Sequence, residues 1–353
     1  MTYFPQLIEF ELARFEIGKR RLFVAAEGFE ERSLEWIRRL PREVWFEHCL
    51  LCRYQPERKA RLTELLAETC PRCYREPRTV DFHRFSPAEF EQALDRELLP
   101  LLSSVEEIVI DLSVMSKLMI MILVWYLRCF GGRVRVIYTE PMSYAPSQGE
   151  YESHREQFSK TLLLPSYGVH EVVRTPHLSS VVMQRSPSVV IAFTSLNEQL
   201  IRALLSTINP SRLLLINGVP PHLAWREVAT QEIHAGIIAD YSADNLVDTE
   251  TGKLLRRAST LFFEESFAVM AGIYREFCFS HRLVLAPTGS KMQAFAGGVF
   301  KACCPDVHVE YPTPESYIIS GYSSKEIRAV HEVVFERFDE MVRGAEAAYK
   351  LNG

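Results

Sequence analysis

The sequence lacks the signatures of several common enzyme classes. It contains no G-x-x-x-x-G-K-[ST] phosphate-binding loop, no G-x-G-x-x-G after its first predicted strand, no G-x-S-x-G and no H-E-x-x-H. These absences argue against an ATPase of the P-loop class, a dinucleotide dehydrogenase and an α/β-hydrolase, and they leave no recognisable cluster of metal ligands. We therefore expect neither a cofactor nor a metal ion.

The chain also lacks an excess of positive charge and a long apolar run. Its formal net charge is -5, so no global basic field exists to hold duplex DNA, and generic duplex binding is not expected. The most apolar run, LMIMILVWYL at 118–127, is far shorter than the roughly 20 residues that span a bilayer. It predicts a buried helix and no membrane partner. The N-terminus shows no signal-peptide pattern, so a cytoplasmic location is expected.

Four of the eight cysteines have a spacing that fits a zinc site. They are Cys49, Cys52, Cys70 and Cys73, in the pattern C-x2-C-x17-C-x2-C. The first pair lies in a predicted strand, and a predicted helix of about 14 residues, roughly 20 Å long, separates it from the second pair. We therefore interpret them as core thiols plus a loop pair, reduced in the cytoplasm.

The two halves of the sequence resemble each other at five places, in the same order. RRLFVAAEGFEERSLEWIRRL (20–40) resembles SVVIAFTSLNEQLIRALLSTI (188–208), and EEIVIDLSVMSKLMIMILVWYL (106–127) resembles HRLVLAPTGSKMQAFAGGVFKA (281–302). The other matches pair VWFEHCLLCRYQPERKARLTELL with SRLLLINGVPPHLAWREVA, RTVDFHRFS with HAGIIADYSA, and RVRVIYTEP with DVHVEYPTP. Five matches at an offset of roughly 170 residues predict an internal duplication.

Strands alternate with helices in each half, which predicts an α/β protein with two Rossmann-like domains. Each domain is expected to be a mostly parallel sheet flanked by helices. The predicted divisions are a first domain at 1–148, a connector with a candidate hairpin at 149–185, a second domain at 186–322 and a C-terminal segment at 323–353. Apolar residues at 3–4 spacing predict a C-terminal amphipathic helix over 323–350, which packs on a neighbouring domain or mediates self-association.

Four turns are predicted at the carboxyl ends of strands, where open parallel sheets bind ligands. Each half has one turn after its first strand, at 27–33 and 194–198. Each half also has one turn after its fourth strand, at 111–117 and 287–291. Each fourth-strand turn ends in a Ser-Lys pair that starts a helix, where backbone N–H groups and the lysine favour an anion. The predicted ligand-binding residues are Lys291, Ser290, Gly289, Thr288, Lys117, Ser116, Ser113, Arg32, Glu31, Thr194 and Ser195.

Several of these residues have a second, structural interpretation. Ser113 and Thr288 are good helix N-caps, so each fourth-strand turn is either an anion site or a plain capping turn. Arg32 either grips a phosphate or pairs with a neighbouring glutamate. Tyr138 and Tyr311, at the ends of the fifth strands, either stack on a base or close the edge of a sheet.

The strand–[ST]GxK–helix turn at 287–291, together with a polar first-strand turn, resembles the CARF family, the CRISPR-associated Rossmann fold that senses cyclic oligonucleotides. The specific motif covers 287–293, with a weaker echo at 111–117. The family's common turn has two glycines before the threonine and lysine, whereas the first half here has none. The resemblance implies a tandem pseudo-dimer with the ligand between the two halves.

The resemblance implies a sensor in antiviral defence that binds a cyclic or linear nucleotide second messenger, and that either acts alone or passes the signal to an effector protein partner. Two alternatives remain open at this point: a metal-free phosphodiesterase that cleaves the ligand, and a non-catalytic adaptor subunit of a defence complex. No catalytic residue is assigned. An R-x5-H run at 275–281, similar to that of HEPN ribonucleases, is interpreted as a chance match because it falls inside the second Rossmann half.

Overall fold

The computed structural model describes residues 4–16, 18–56, 61–156, 166–317 and 322–351. The chain divides into two compact units. Unit 1 comprises residues 1–144 and 323–345, and unit 2 comprises residues 145–322 and 346–353. The chain therefore returns to unit 1 after it has built most of unit 2.

Unit 1 contains one seven-stranded sheet within the described residues. Elements are numbered along the chain. Its strands are β1 (Ile8–Glu9), β2 (Arg21–Ala26), β3 (His48–Gln55), β4 (Arg78–His83), β5 (Glu107–Asp111), β6 (Arg133–Pro141) and β16 (Ile327–Phe335). Its helices are α1 (Glu35–Arg39), α2 (Leu62–Thr69), α3 (Pro87–Glu97), α4 (Leu99–Leu102), α5 (Lys117–Leu127) and α12 (Phe338–Leu351), which runs on into unit 2, with short 3-10 turns at Leu12–Arg14, Glu31–Leu34 and Cys70–Arg72. The strand order is β1-β16-β6-β5-β2-β3-β4.

Unit 2 is built around a five-stranded sheet of order β11-β10-β9-β12-β13. The strands of unit 2 are β7 (Ser166–Tyr167), β8 (Glu171–Val173), β9 (Ser188–Phe193), β10 (Arg212–Val219), β11 (Arg257–Ser259), β12 (Arg282–Ala286), β13 (His308–Val309), β14 (Tyr311–Thr313) and β15 (Ser316–Tyr317). Its helices are α6 (Gln148–Ser153), α7 (Gln199–Ile208), α8 (Trp225–Ile233), α9 (Ala235–Asp240), α10 (Phe263–Phe277) and α11 (Lys291–Cys303).

The parallel strands of the two sheets have the same spatial order. Strands β2 to β6 pair in parallel in unit 1, and β9 to β13 pair in parallel in unit 2. Numbered along the chain, each set of five reads 3-2-1-4-5. The first and fourth strands are therefore neighbours in both sheets, and this is the switch point at which parallel sheets bind ligands. The prediction of parallel sheets flanked by helices is confirmed.

The central elements of unit 1 are apolar because they are covered on all sides. Strand β2 is buried along its whole length, as expected for a central parallel strand. Helix α5 carries apolar residues all round, and such a helix is stable only when it is buried. The buried helix predicted at 118–127 is therefore confirmed. None of the described helices is both long enough and apolar enough to cross a membrane.

The predicted helix at 323–350 is wrong over its first part. Residues 327–335 form β16, which pairs antiparallel with β6, and the helix begins only at Phe338. The sequence IRAVHEVVF is rich in β-branched residues, which favour strands, and β6 offers it a long sheet edge. The apolar spacing that suggested a helix therefore belongs to a strand. Its partner strand, β6, is nearly 200 residues earlier in the chain, and a local sequence pattern does not reveal such a partner.

The candidate hairpin of the connector, at 161–174, lies partly outside the described residues and stays a prediction. Strand β7 pairs with β15, and β8 pairs with β14, so the two connector strands do not pair with each other. Residues 161–165, at the start of the candidate hairpin, lie outside the described residues.

The four cysteines with zinc-like spacing are arranged differently from a metal site. Cys49 and Cys73 form a disulfide with Cα atoms 6.7 Å apart, which differs from the expectation of reduced thiols. Cys52 is buried and Cys70 is exposed, and both are free. No group of three or more His, Cys, Asp or Glu side chains in the described parts of the chain is suited to hold a metal ion.

Candidate functional site

The fourth-strand turn of unit 2, residues 287–291, is tied to the end of β9 by a threonine. The Thr288 hydroxyl donates to the Phe193 carbonyl oxygen at 2.6 Å and accepts the Phe193 N–H at 3.0 Å. Thr288 is fully buried. It therefore joins the turn to the neighbouring strand, and the interpretation of Thr288 as an N-cap is wrong.

Ser290 is the N-cap of α11. Its hydroxyl oxygen accepts the Gln293 N–H at 3.1 Å, and the Gln293 side-chain oxygen accepts the Ser290 N–H at 2.8 Å. The Ser290 hydroxyl also donates to the Thr260 carbonyl oxygen at 2.6 Å. This capping box fixes the start of the helix and places Lys291 at its first position.

Gly289 is required by close packing inside the same turn. A Cβ atom at this position would lie 2.0 Å from the Gln293 side-chain oxygen and 2.7 Å from the Phe193 Cβ. The glutamine can move, but the Phe193 Cβ belongs to a central strand. Only glycine allows the turn to approach β9 this closely.

Lys291 adds a full positive charge to the positive end of α11. The residue is half-buried, and the turn that precedes it, Pro-Thr-Gly-Ser, contains no acidic residue. A lysine at a helix N-terminus beside a parallel-sheet switch point favours a phosphate or carboxylate. This arrangement is the strongest candidate site in unit 2.

The first-strand turn of unit 2 is held by a buried polar network that the sequence analysis missed. The Thr194 hydroxyl donates to the Asn217 side-chain oxygen at 2.5 Å and accepts the Gly218 N–H at 3.3 Å. The Asn217 amide in turn donates to the Glu227 carbonyl oxygen at 3.0 Å. An asparagine followed by a glycine at the end of the apolar run LLLINGV was the available signal. Ser195 is half-buried and bonds the Asn197 backbone at 3.3 Å.

The fourth-strand turn of unit 1 is tied to its neighbouring strand in a similar way. The Ser113 hydroxyl accepts the Thr139 N–H of β6 at 2.8 Å and donates to the Asp111 carboxylate. Burial raises the pKa of Asp111 to about 6, although hydrogen bonds from Ser113 oppose the shift. The N-cap of α5 is Ser116, which accepts the Met119 N–H at 3.2 Å, so the interpretation of Ser113 as an N-cap is wrong.

The Ser-Lys pair occupies the same position in both units. Ser116 and Ser290 are N-caps, and Lys117 and Lys291 are the first residues of their helices. Lys117, like Lys291, is half-buried. The two turns therefore share the capping serine and the lysine that follows it, whereas the capping box with Gln293 is found at α11 and not at α5.

Arg32 is fully buried and paired inside unit 1. Its guanidinium donates to both carboxylate oxygens of Glu30, at 2.9 and 3.1 Å, and to the Thr139 carbonyl oxygen at 2.8 Å. The guanidinium carbon also lies 5.7 Å from the ring centres of Tyr138 and Tyr144. Burial alone would lower the pKa of Arg32, but the Glu30 carboxylate together with Tyr144 and Tyr138 raises that pKa, so the guanidinium stays charged. The structure therefore agrees with the second interpretation of Arg32, in which it pairs with a neighbouring glutamate.

The two turns at the switch point of unit 1 pack directly on each other. A Cβ atom on Gly28 would lie 2.7 Å from the Val114 Cβ. The Tyr54 hydroxyl closes the same edge, because it accepts the Ser116 N–H at 2.6 Å and donates to the Val114 carbonyl oxygen at 3.1 Å. The side chain of Glu31, also predicted to bind ligand, lies outside the described residues.

The tyrosines at the ends of the fifth strands are both buried. The Tyr138 hydroxyl lies 2.6 Å from the Tyr144 hydroxyl, and Tyr311 lies in β14, opposite Val173 of β8. Both tyrosines are therefore buried parts of the fold, and Tyr138 lies in β6 between β5 and β16 rather than at the outer edge of the sheet.

No known family model matches the sequence, and no curated protein matches it. Among solved structures, the chain is similar to Can2 from Sulfobacillus thermosulfidooxidans in complex with cyclic tetra-adenylate. The identity is 11%, the match covers 82% of this chain and 95% of that chain, and the TM-score is 0.24. A likeness of this size assigns neither family nor function, so the functional interpretation depends on the residues of this chain.

Proposed function

We propose that the chain is a sensor of the antiviral-defence type that binds a cyclic oligonucleotide, or a related phosphate-rich nucleotide, at the 287–291 turn of unit 2. The observation that carries this proposal is the combination of Gly289, the Ser290 cap and Lys291 at the switch point between β9 and β12. The strand–[ST]GxK–helix pattern of the turn also resembles the CARF family, whose members sense such ligands.

The turn is suited to an anion because it is rigid before any ligand arrives. The side chains of Thr288, Ser290 and Gln293 form hydrogen bonds that hold the backbone in place. A preorganised site loses little conformational entropy on binding, so more of the interaction energy appears as affinity. The protein as a whole is acidic, so attraction of a polyanion depends on a local positive site of this kind.

The duplication inferred from the sequence supports the same proposal. Both units have the strand order 3-2-1-4-5 and place a capping serine and a lysine at the start of the helix that follows the fourth strand. An ancestral unit that bound an anion at this turn explains why the pair recurs at both places. On this account, unit 2 has kept the site, whereas unit 1 has filled its own edge with internal contacts.

Calorimetric titration with cyclic di-, tri-, tetra- and hexanucleotides tests the proposal. We expect one member of the panel to bind, and Lys291→Ala to weaken that binding by roughly 10- to 100-fold, since hydrogen bonds to charged groups contribute about 1.5–3 kcal/mol. Arg275→Ala is the matched control. It removes one positive charge from the exposed last turn of α10, at the opposite edge of the same sheet, and should leave the affinity unchanged.

Chromatography of each mixture after incubation separates sensing from cleavage. An intact ligand agrees with the sensor, and linear products would assign a phosphodiesterase to the same turn. Absence of heat with every nucleotide in the panel, from protein shown to be folded by circular dichroism, would contradict the proposal.

A further inference from the structure

Three cysteines lie together near the amino-terminal end of β3 in unit 1, whereas the proposed ligand site belongs to unit 2. Cys49 is 1% exposed and is bonded to Cys73. Cys70, three residues before Cys73, is an exposed free thiol. Cys70 and Cys73 form the sequence Cys-Pro-Arg-Cys, a C-x-x-C pattern of the kind used in thiol–disulfide exchange.

Cys73 is within bonding range of two partners. Its N–H donates to the Cys70 carbonyl oxygen at 3.2 Å, which makes residues 70–73 a tight turn. The end Cα atoms of such a turn are less than about 7 Å apart, and disulfides join Cα atoms at roughly 4.4–6.8 Å. The Cα atoms of Cys49 and Cys73 are 6.7 Å apart, so they also fall within this range. The Cys73 sulfur can therefore bond to Cys70 or to Cys49 without a large movement of the backbone.

The three cysteines differ in their exposure to solvent, and this difference sets the order in which they react. A dissolved disulfide has no route to the sulfur of Cys49, which is buried in the core of unit 1 beside Phe46 and Phe23. Cys73 is half-buried, whereas Cys70 is open to solvent. Exchange rates depend on access of the attacking thiolate to the disulfide, so Cys70 is the favoured first reactant.

We propose that Cys70 is a site of thiol–disulfide exchange with low-molecular-weight disulfides such as oxidised glutathione, and that Cys73 passes the resulting bond to Cys49. The Cys70 thiolate first attacks the dissolved disulfide, which forms a mixed disulfide and releases one thiolate. Cys73 then attacks the Cys70 sulfur, which forms the 70–73 bond and releases the second. Finally Cys49 attacks the Cys73 sulfur, and Cys70 leaves as a thiolate. In total, two protein thiols are oxidised and one small disulfide is reduced to two thiols.

The transferred bond anchors a surface segment to the sheet. The Phe46 N–H donates to the Arg72 carbonyl oxygen at 2.8 Å, and the Tyr74 N–H donates to the Phe46 carbonyl oxygen at 3.0 Å. The rings of Trp45 and Tyr74 stack at 5.2 Å on the exposed side of this contact. The Cys73 sulfur lies 3.1 Å from the Thr69 carbonyl oxygen, which is within reach to accept the thiol proton once the bond is reduced. The position of Cys73 therefore suits both redox states.

Peptide mapping tests the proposed order of bonds. Reduced protein is mixed with oxidised glutathione, alkylated at fixed times and digested with trypsin without reductant. Trypsin cuts after Arg42, Arg53, Arg61, Arg72 and Arg75, so Cys49, Cys70 and Cys73 fall in the separate peptides 43–53, 62–72 and 73–75. We expect glutathione on 62–72 first, then a link from 62–72 to 73–75, then a link from 43–53 to 73–75. Fragment ions of the last pair separate Cys49 from Cys52.

Cys70→Ser should slow formation of the 43–53 to 73–75 link at least tenfold. Cys129→Ser, which removes another exposed free thiol of unit 1, should leave the rate unchanged. An equal rate in Cys70→Ser would show that Cys73 reacts directly and would overturn the proposal. The proposal would also be overturned if the unsubstituted protein showed neither glutathione on 62–72 nor the link from 62–72 to 73–75. This second readout does not depend on the folding of any variant.

Discussion

The two parallel sheets have the same strand order, but the turns at their carboxyl ends are held by different kinds of side chain. In unit 1, the first-strand turn is fixed by the buried ion pair of Arg32 with Glu30, and the fourth-strand turn by the buried carboxyl group of Asp111. In unit 2, the corresponding turns are fixed by neutral groups, among them the hydroxyls of Thr194 and Thr288.

This difference agrees with the proposal that the two units have different roles. A guanidinium that already holds a carboxylate contributes little further attraction to a phosphate, so the positive charge of Arg32 stabilises the fold. The 287–291 turn carries its lysine on a neutral backbone framework and directs a helix N-terminus to the same place. The comparison supports the proposal that unit 2 binds the ligand, and it assigns a stabilising role to the buried ion pair of unit 1.

The largest expected effect comes from breaking the buried pair of unit 1. Arg32→Ala leaves the Glu30 carboxylate buried without its guanidinium partner, and we expect the free energy of unfolding to fall by about 3–5 kcal/mol. Arg38→Ala is the control, because Arg38 pairs with Glu68 at the surface and should cost less than about 1 kcal/mol. Urea unfolding followed by tryptophan fluorescence measures both. Equal losses in the two variants would contradict the structural role of Arg32.

The two units should respond to acid in opposite directions. Burial raises the pKa of Asp111 in unit 1 to about 6, so its contribution to stability decreases as the pH rises from about 4 to 6. Burial lowers the pKa of His234 in unit 2 to about 4, so its contribution decreases as the pH falls from about 6.5 to 4. Shifts of this size correspond to about 3 kcal/mol each.

Hydrogen exchange followed by mass spectrometry reads the two units separately. Asp111→Asn should remove part of the pH dependence of protection in unit 1 only, and His234→Asn part of that in unit 2 only. The unsubstituted protein at the same pH is the reference for each variant. A loss of pH dependence in the other unit would contradict the assignment.

A smaller effect is expected at the glycine of the proposed ligand turn. Gly289→Ala places a methyl group against the Phe193 Cβ, and overpacking of this kind costs about 1–3 kcal/mol. Gly272→Ala is the matched control, because an added Cβ there has no atom within 4 Å beyond the adjacent residues and the backbone of its own helix. Alanine in a helix should raise stability by about 0.5–1 kcal/mol. Thermal unfolding of the two variants measures the difference, and a stabilised Gly289→Ala would show that the turn is not packed as described.

Local sequence patterns predicted the parts of the fold that depend on local periodicity. The alternation of apolar runs and helices indicated the parallel sheets, and the Ser-Lys pairs indicated where α5 and α11 begin. The patterns failed where the partner is distant along the chain. The sequence IRAVHEVVF becomes a strand only because β6 is available beside it.

The candidate site was predicted in outline but not in its hydrogen bonding. The sequence identified the turns, but it left open whether Arg32 binds a ligand or Glu30, because that choice depends on burial. It offered Ser113 and Thr288 as candidate N-caps, whereas the next serine in each turn is the cap. Asn217 was missed, since its role depends on a contact with a threonine 23 residues earlier in the chain.

The most direct test of the assignment to unit 2 compares the two equivalent lysines. Lys117→Ala and Lys291→Ala remove the same charge from the same helix position in unit 1 and unit 2. Calorimetry with the cyclic oligonucleotide that binds best should give an affinity roughly 10- to 100-fold weaker for Lys291→Ala and changed less than about twofold for Lys117→Ala. Equal losses in the two variants, or a loss confined to Lys117→Ala, would contradict the account.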